Sequence, residues 1–212
     1  MGPAVNPAAA KSRACILDYG SGNVKSVANL LEYLKVEHVV SNSEADIAAA
    51  THLILPGVGA FGAAMRMIHQ RIPLDSVTAA VQAQHKPFLG ICVGMQVLAE
   101  SGEEFGTHQG LGWIPGSVRR FLDCGLPIPH IGWNEVRSSG VDLLLGEHQA
   151  MDFYFVHSYL FEARDPASVV ATTTYGETFP SIVRRGNILG VQFHPEKSQK
   201  AGMLLLRNFL LS

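Results

Sequence analysis

The chain has 212 residues, of which 47% are hydrophobic and 16% are charged, and its formal net charge is −2. This length and composition allow one large α/β domain with a sizeable core, and they exclude a disordered chain. The balanced charge excludes the basic surface that nucleic-acid or membrane-surface binding requires. No apolar run is long enough to span a bilayer. We therefore expect neither a nucleic-acid nor a membrane partner.

The cysteines are sparse and odd in number. Cys15, Cys92 and Cys124 include no C-x-x-C pair, so they form a poor disulfide framework and a poor zinc site. Such usage is typical of a reducing compartment, and we expect a cytoplasmic protein without a metal or other cofactor. Residues 1–13 are rich in Pro and Ala and lack the apolar core of a signal peptide. We predict a flexible extension over 1–13 and one domain over 14–212.

The first half of the chain alternates short apolar runs with helical patterns. A helix is predicted after residue 23, because apolar residues recur there on one face at 3.6-residue spacing. Further helices are predicted at 63–70, at 74–84 and after Cys92. The predicted strands are 14–18, 38–40, 51–55 and 87–91. These strands do not alternate, which indicates a parallel sheet covered on both faces.

The second half consists of short strands separated by turn residues. The predicted strands are 117–121, 151–161, 169–174, 181–185 and 188–193. Gly186-Asn187 predicts a two-residue hairpin turn, and 201–211 predicts a final amphipathic helix. The predicted fold is α/β, a three-layer, doubly wound mixed sheet of flavodoxin-like type, which binds ligands beyond the carboxyl ends of its strands.

Gly-Ile-Cys-Val-Gly at 90–94 has the G-x-C-x-G pattern of a nucleophile elbow, a sharp strand-to-helix turn. The strained nucleophile needs small neighbours, which Gly90 and Gly94 provide. The N–H groups of the following helix favour the thiolate of Cys92. Alternatively, Cys92 is a buried core cysteine, since cysteine is among the most buried residue types. Cys15 is interpreted as a core residue and Cys124 as a loop residue.

His194 is the best candidate for a base among nine histidines. It leaves an apolar strand, precedes Pro195, and is followed two positions later by Glu196. In an extended segment, residues i and i+2 point to the same side, so Glu196 can orient the imidazole toward the thiol. The alternative is a strand-terminal histidine satisfied by a local carboxylate.

Two glycine-rich loops follow strand ends. In residues 55–62, Gly57, Val58 and Gly59 can direct backbone N–H groups to a developing oxyanion, and the N–H of Val93 is the natural second donor. The alternative is a phosphate-binding or structural turn. The loop Gly-Ser-Gly-Asn at 20–23 is a fragment of a dinucleotide fingerprint that lacks its third glycine.

The motifs GICVGMQ, PGVGAFG, IGWNE, FVHSY and VQFHPEKS, in this order, resemble class I glutamine amidotransferases. More narrowly, they are similar to the glutaminase subunit of imidazole glycerol phosphate synthase. The resemblance covers about 13–212 and implies the class I amidotransferase fold. The chain departs from the family by carrying about a dozen extra residues before the first strand. Relatives serving anthranilate or aminodeoxychorismate synthesis typically carry CLGHQ at the elbow, where this chain has CVGMQ.

The resemblance implies a chemistry. Cys92 attacks the side-chain amide carbon of L-glutamine. His194 takes the thiol proton and later protonates the departing ammonia, while Glu196 orients His194. A glutamyl thioester forms and is hydrolysed by water to L-glutamate. The first peptide of the 57–59 segment is expected to reorient only when a partner subunit has bound its own ligand. The residues expected to hold the amino-acid end of glutamine are Gln96, His157, Ser158 and Tyr159. Alternatively, Gln96 is a helix-surface residue and the other three belong to a strand with a core tyrosine.

The resemblance also implies a partner, a (β/α)8-barrel cyclase subunit that forms a heterodimer with this chain and receives its ammonia to make imidazole glycerol phosphate in histidine biosynthesis. The residues that match interface positions are Trp133, Asn134, Tyr154 and Lys197. Their alternative interpretations are a core tryptophan, a capping asparagine, a strand tyrosine and a surface lysine. Three other hypotheses stay open for the whole chain: a subunit of another synthase, a non-catalytic scaffold, and a Cys–His hydrolase acting on a different substrate.

Overall fold

The computed structural model describes residues 12–123, 125–138, 140 and 144–211. They form two sheets and six α-helices. Within these ranges, no helix combines the length and the hydropathy needed to cross a bilayer. The strands are β1 (Arg13–Ile16), β2 (Glu37–Val40), β3 (His52–Gly57), β4 (Phe88–Cys92), β5 (Ser101–Gly102), β6 (His108–Gln109), β7 (Gly116–Arg120), β8 (His130–Ser138), β9 (Ala150–His157), β10 (Tyr159–Ala163), β11 (Val169–Tyr175), β12 (Glu177–Arg185) and β13 (Ile188–Val191).

The helices lie mainly between the strands of the first half. A π-helical turn, Ala79–Ala83, extends the fourth helix, and two short 3-10 turns lie at Pro166–Ser168 and Pro195–Lys197. The helices are α1 (Val24–Tyr33), α2 (Glu44–Ala49), α3 (Phe61–Arg71), α4 (Leu74–Thr78), α5 (Val93–Gln96) and α6 (Gln199–Phe209).

The large sheet has nine strands in the order β2-β1-β3-β4-β13-β12-β11-β8-β9. The first five are parallel to one another. Every residue of β3, β4 and β13 is buried, as expected for parallel strands covered on both faces. The carboxyl ends of these three neighbouring strands therefore meet at one edge, where the elbow, the 57–59 segment and His194 follow.

The remaining strands of the large sheet are antiparallel, and β10, β7, β5 and β6 form a second sheet of four strands. β12 and β13 are joined by the predicted hairpin, with Arg185 paired to Ile188. The N–H of His194 donates to the carbonyl of Tyr154 at 2.9 Å, so β9 contacts the segment that follows β13. Val156 and His157 at the end of β9 line the same cavity as Cys92 and His194.

The predicted α/β mixed sheet is confirmed, with differences in individual elements. The sequence patterns missed α2, which buries only Ile47, and they missed β8. The predicted strand 151–161 is two strands that belong to different sheets. Cys15 lies in the core as predicted, where burial raises the pKa of its thiol to about 11. Cys124 and most of the predicted extension lie outside the described residues.

Candidate active site

Cys92 ends β4 in the geometry of a nucleophile elbow. Its φ is 55°, in the left-handed region that side chains larger than glycine rarely adopt. Gly90 and Gly94 must be glycine, because a Cβ on Gly90 would collide with the Gly94 carbonyl, and one on Gly94 with the Leu55 carbonyl. The strained cysteine and its two small neighbours thus fit the elbow rather than an ordinary core turn.

His194 lies beside this elbow because β13 pairs with β4, with Val191 opposite Ile91. Its Nδ1–H donates to Glu196 Oε1 at 2.8 Å, and the side chains are only 3% and 0% exposed. Since the carboxylate takes Nδ1, the other ring nitrogen is the one available to Cys92. Nucleophile, base and carboxylate are therefore brought together in a buried row.

The electrostatics of the row favour charged partners. Burial lowers the pKa of His194, but the hydrogen bonds to Cys92 and Glu196 and the charges of both outweigh burial and raise the pKa to about 9. Burial raises the pKa of Glu196, but the hydrogen bond and charge of His194 and the Asn23 amide outweigh it and hold the pKa below its usual range. His194 and Glu196 therefore form a buried ion pair beside Cys92.

The 57–59 segment lies beside the sulfur by sheet register. Gly57 is paired with Cys92 between β3 and β4, and Gly59 has a φ of 91° that suits glycine. The carbonyl of Val58 accepts from the Ser21 hydroxyl at 3.0 Å. Val58, Gly59 and Val93 line the same cavity as Cys92, so three of the four residues expected to form the oxyanion site lie around the space beside the nucleophile.

The cavity over the triad has a volume of about 490 Å³. All four residues predicted to hold glutamine line it, together with Cys92 and His194. Glu104 and Phe105 are among the lining residues that sequence reasoning missed. The Glu104 carboxylate accepts from the N–H of Phe61 at 2.8 Å at the start of α3, which fixes a carboxyl group on this wall of the cavity.

Gln96 is buried and not a helix-surface residue, so that alternative is wrong. Its Nε2 donates to the carbonyl of Tyr159 at 3.0 Å and to Gln192 Oε1 at 3.1 Å. Gln192 in turn donates to Cys92 Sγ at 3.8 Å. Gln96 therefore ties the segment 157–159 to the nucleophile.

His157 forms a buried pair with His130. Its Nδ1 lies 2.8 Å from the carbonyl of Tyr159, which can only accept, so Nδ1 carries the proton. Nε2 then accepts from His130 Nδ1 at 3.0 Å. Burial lowers the pKa of His157 to about 3 and that of His130 to about 4, so both rings are neutral. His157 is thus a fixed element of the wall and not a second base.

The four predicted interface residues lie on β8, on the neighbouring β9 and in the 3-10 turn after His194. Trp133 is 49% exposed, so its core interpretation is wrong. It makes an edge contact with Tyr154 at 6.0 Å between ring centroids, and the Lys197 ammonium lies 5.8 Å from the same ring. Asn134 lies within β8 and is not a helix cap, and its amide donates to the Thr174 carbonyl. Only Lys197 of these four lines the cavity.

Asn23 and Gln192 are the other residues near the triad that sequence reasoning missed as site residues. Asn23 donates to Glu196 and Gln192 to Cys92. The positions that each pair joins are 173 and 100 residues apart, so no local pattern could reveal them. Gln192 lies within the VQFHPEKS motif, and Asn23 lies within the Gly-Ser-Gly-Asn loop.

Sheet order, elbow and triad together define a glutamine amidotransferase of the triad type, and comparison with known proteins agrees. The family model described as glutamine amidotransferase class-I matches residues 15–212. The chain therefore belongs to the class I glutamine amidotransferases and, within them, to the family of imidazole glycerol phosphate synthase subunit HisH.

Three of the relatives that carry that subunit's name show the extent of the similarity. The one from Herpetosiphon aurantiacus is 47% identical over 92% of both chains. The one from Symbiobacterium thermophilum is 46% identical over 93% of both, and the one from Salinibacter ruber is 47% identical over 92% of both. These matches span nearly the whole length of each relative.

Solved structures share the fold at lower identity. A glutamine amidotransferase superposes with a TM-score of 0.72 at 22% identity, covering 93% of this chain and 96% of that one. PurLQS from Thermotoga maritima gives 0.71 at 19% identity, covering 94% and 98%. The class I amidotransferase fold is therefore confirmed independently of close sequence similarity.

Proposed function

We propose that this chain is the glutaminase subunit of imidazole glycerol phosphate synthase, which hydrolyses L-glutamine and passes the ammonia to a cyclase subunit in histidine biosynthesis. The observation that carries the proposal is the buried row of Cys92, His194 and Glu196 at the ends of β4 and β13. The subunit names of relatives 46–47% identical support the pathway, and a cytoplasmic location fits the cysteine usage.

In the first half-reaction the Cys92 thiolate attacks the side-chain amide carbon of glutamine. The negative charge moves to the amide oxygen, where the N–H of Val93 and a peptide of the 57–59 segment stabilise it. His194, held protonated by its neighbours, donates its proton to the amide nitrogen. The C–N bond breaks, ammonia leaves, and a glutamyl thioester remains on Cys92.

In the second half-reaction water attacks the thioester. His194, now neutral, takes a proton from the water, and the oxyanion site is used again. The C–S bond breaks and L-glutamate is released. The proton that His194 took from water stays on its ring, which restores the thiolate of Cys92 and the protonated His194. Glu196 keeps Nδ1 of His194 occupied throughout, so the catalytic nitrogen always faces the sulfur.

The cavity wall suits the amino-acid end of glutamine. Glu104 contributes a carboxylate that complements an α-ammonium group, and Ser158 adds a hydroxyl. Gln96 and His157 hold the wall in shape, because their amide and ring N–H groups are engaged by the protein itself. The expected selectivity is for a zwitterionic amino acid with a terminal amide.

The cyclase would dock where the antiparallel half leaves apolar side chains exposed. Ile131 and Trp133 are 59% and 49% exposed on β8, and Tyr154 and Lys197 lie next to them. Clusters of exposed aromatic and aliphatic residues are typical of protein interfaces. A (β/α)8-barrel subunit seated there would cover the cavity side on which Lys197 lies.

We expect the isolated chain to be nearly inactive toward glutamine. The peptides of the 57–59 segment can reorient because Gly57 and Gly59 flank Val58, and the partner would select the orientation that completes the oxyanion site. The Ser21 hydroxyl on the Val58 carbonyl favours one resting arrangement of this segment. Robust turnover without a partner would contradict this.

The deciding experiment measures glutamate release from glutamine by the chain alone, with a cyclase subunit, and with the cyclase plus its ribotide ligand. Cys92→Ala is compared with Cys15→Ala, the matched change of a core cysteine. We expect turnover only with the loaded cyclase, with loss of at least about 10⁴-fold in Cys92→Ala and retention in Cys15→Ala.

The destination of the ammonia is followed with amide-¹⁵N glutamine in the presence of unlabelled ammonium. Label in the imidazole product supports channelling to the cyclase. Cys92-dependent turnover that ignores the cyclase would point to another synthase or to free hydrolysis. No Cys92-dependent turnover under any condition would favour the scaffold hypothesis and refute this proposal.

A further inference from the structure

Asn23 stands at the start of α1 without capping it. Its backbone occupies the N-cap position, where an asparagine side chain usually accepts a hydrogen bond from the first turn, but the side chain makes no such bond. Instead, Asn23 Nδ2 donates to Glu196 Oε1 at 2.9 Å. A residue well suited to capping is therefore committed to the triad.

Asn23 and His194 donate to the same carboxylate oxygen. Glu196 Oε1 accepts Asn23 Nδ2 at 2.9 Å and His194 Nδ1 at 2.8 Å, which uses both of its lone pairs. Two donors on one oxygen fix the direction of the carboxylate and favour its ionised form. Because Glu196 orients His194, the amide of Asn23 acts on the base through the acid.

The loop that carries Asn23 also contacts the oxyanion segment. Ser21 Oγ donates to the Val58 carbonyl at 3.0 Å, and the Tyr19 hydroxyl lies 3.5 Å from the same oxygen. Gly22 packs so closely that a Cβ would lie 2.7 Å from the carbonyl oxygen of Pro56. The hydroxyl and the amide of the Gly-Ser-Gly-Asn loop are thus engaged by the active site, and neither is directed to a phosphate.

We propose that residues 19–23 form a positioning loop, in which Asn23 is a positioning residue that fixes Glu196 and, through it, His194. The loop replaces the dinucleotide interpretation of the Gly-Ser-Gly-Asn fragment. The catalytic consequence rests on the proposed glutaminase function, whereas the hydrogen bond itself can be tested without turnover.

Asn23→Ser separates positioning from helix capping. Serine caps helices about as well as asparagine, but its side chain is too short to reach Glu196. In the complex with the loaded cyclase, we expect kcat to fall about tenfold to hundredfold, as for loss of a hydrogen bond to a charged group. KM should stay within about threefold. The melting temperature is expected to fall by a few degrees, because the buried Glu196 carboxylate loses a donor, so kcat is measured well below the melting transition. Asn29→Ser, at an exposed position of the same helix, is the control.

The second measurement is the titration of the Glu196 carboxyl, followed by ¹³C NMR in wild type, Asn23→Ser and Asn29→Ser. We expect the midpoint to rise only in Asn23→Ser, because the ionised carboxylate loses a donor. An unchanged midpoint together with wild-type kcat would overturn the inference and leave the glutaminase proposal intact. If the wild type shows no Cys92-dependent turnover, the glutaminase proposal fails and the titration alone decides the role of Asn23.

Discussion

The two halves of the large sheet differ in what they bury. In the parallel half, β3, β4 and β13 are buried along their whole length, and their ends hold Cys92 and His194. In the antiparallel half, β8 turns His130 inward and leaves Ile131 and Trp133 exposed. The proposed reacting residues therefore lie at the ends of buried parallel strands. The substrate wall and the exposed face proposed for the partner lie on the antiparallel strands.

After the nucleophile, the largest expected effect concerns the base that follows β13. His194→Ala removes the imidazole that the Glu196 carboxylate orients, so we expect the rate of the activated complex to fall about 10²–10⁴-fold. His148→Ala, an exposed histidine, is the matched control and should retain full activity. The measurement is glutamate release with the loaded cyclase. A loss of less than about threefold in His194→Ala would mean that the parallel half does not hold the base.

A smaller effect is expected from the packing of the elbow. In Gly94→Ala the new methyl group would collide with the Leu55 carbonyl, and overpacking of this kind costs about 1–3 kcal/mol. Gly140→Ala is the control, because no atom of the described residues lies within 4 Å of its Cβ position. Urea denaturation of the isolated chain measures both. Equal stability of the two variants would show that the elbow can relax without cost.

The parallel half could be predicted because its patterns are local. Short apolar runs predict the strands β1, β3 and β4 directly, and the 3.6-residue spacing of apolar residues predicts α1. The G-x-C-x-G and H-P-E motifs likewise place a nucleophile and an oriented base within a few residues. The pairing that brings the two motifs together was not predicted, because 188–193 was grouped with the strands of the second half, whereas β13 runs parallel to β4.

The antiparallel half was harder because β8 reverses the usual pattern. Its polar residues His130 and Asn134 face inward while its apolar Ile131 and Trp133 face outward, so hydrophobicity gave no strand signal. The contacts of Asn23 and Glu104 with the site were missed for another reason. Both act across long sequence separations, which no periodicity encodes.

The smallest effect sharpens the comparison through pH, because the buried histidines of the two halves shift in opposite directions. The pKa of His194 is raised to about 9, so its stabilisation is present below the unfolded value of 6.5 and is lost as the pH rises through 9. The pKa values of His157 and His130 are lowered by burial to about 3 and about 4. Their unfolded forms bind more protons, so stability falls as the pH drops below 6.5.

The acid limb can be assigned by comparing slopes. Between pH 6.5 and 4.5, we expect the free energy of unfolding to decrease by up to about 1.4 kcal/mol per pH unit for each neutral buried ring. His157→Gln should reduce that slope even if it lowers stability at every pH, whereas His148→Gln should leave it unchanged. Denaturation series at each pH measure the slopes. Equal slopes in wild type and His157→Gln would mean that the wall of the antiparallel half accepts a proton as readily as the unfolded chain, and the fixed His130–His157 pair would then lose its support.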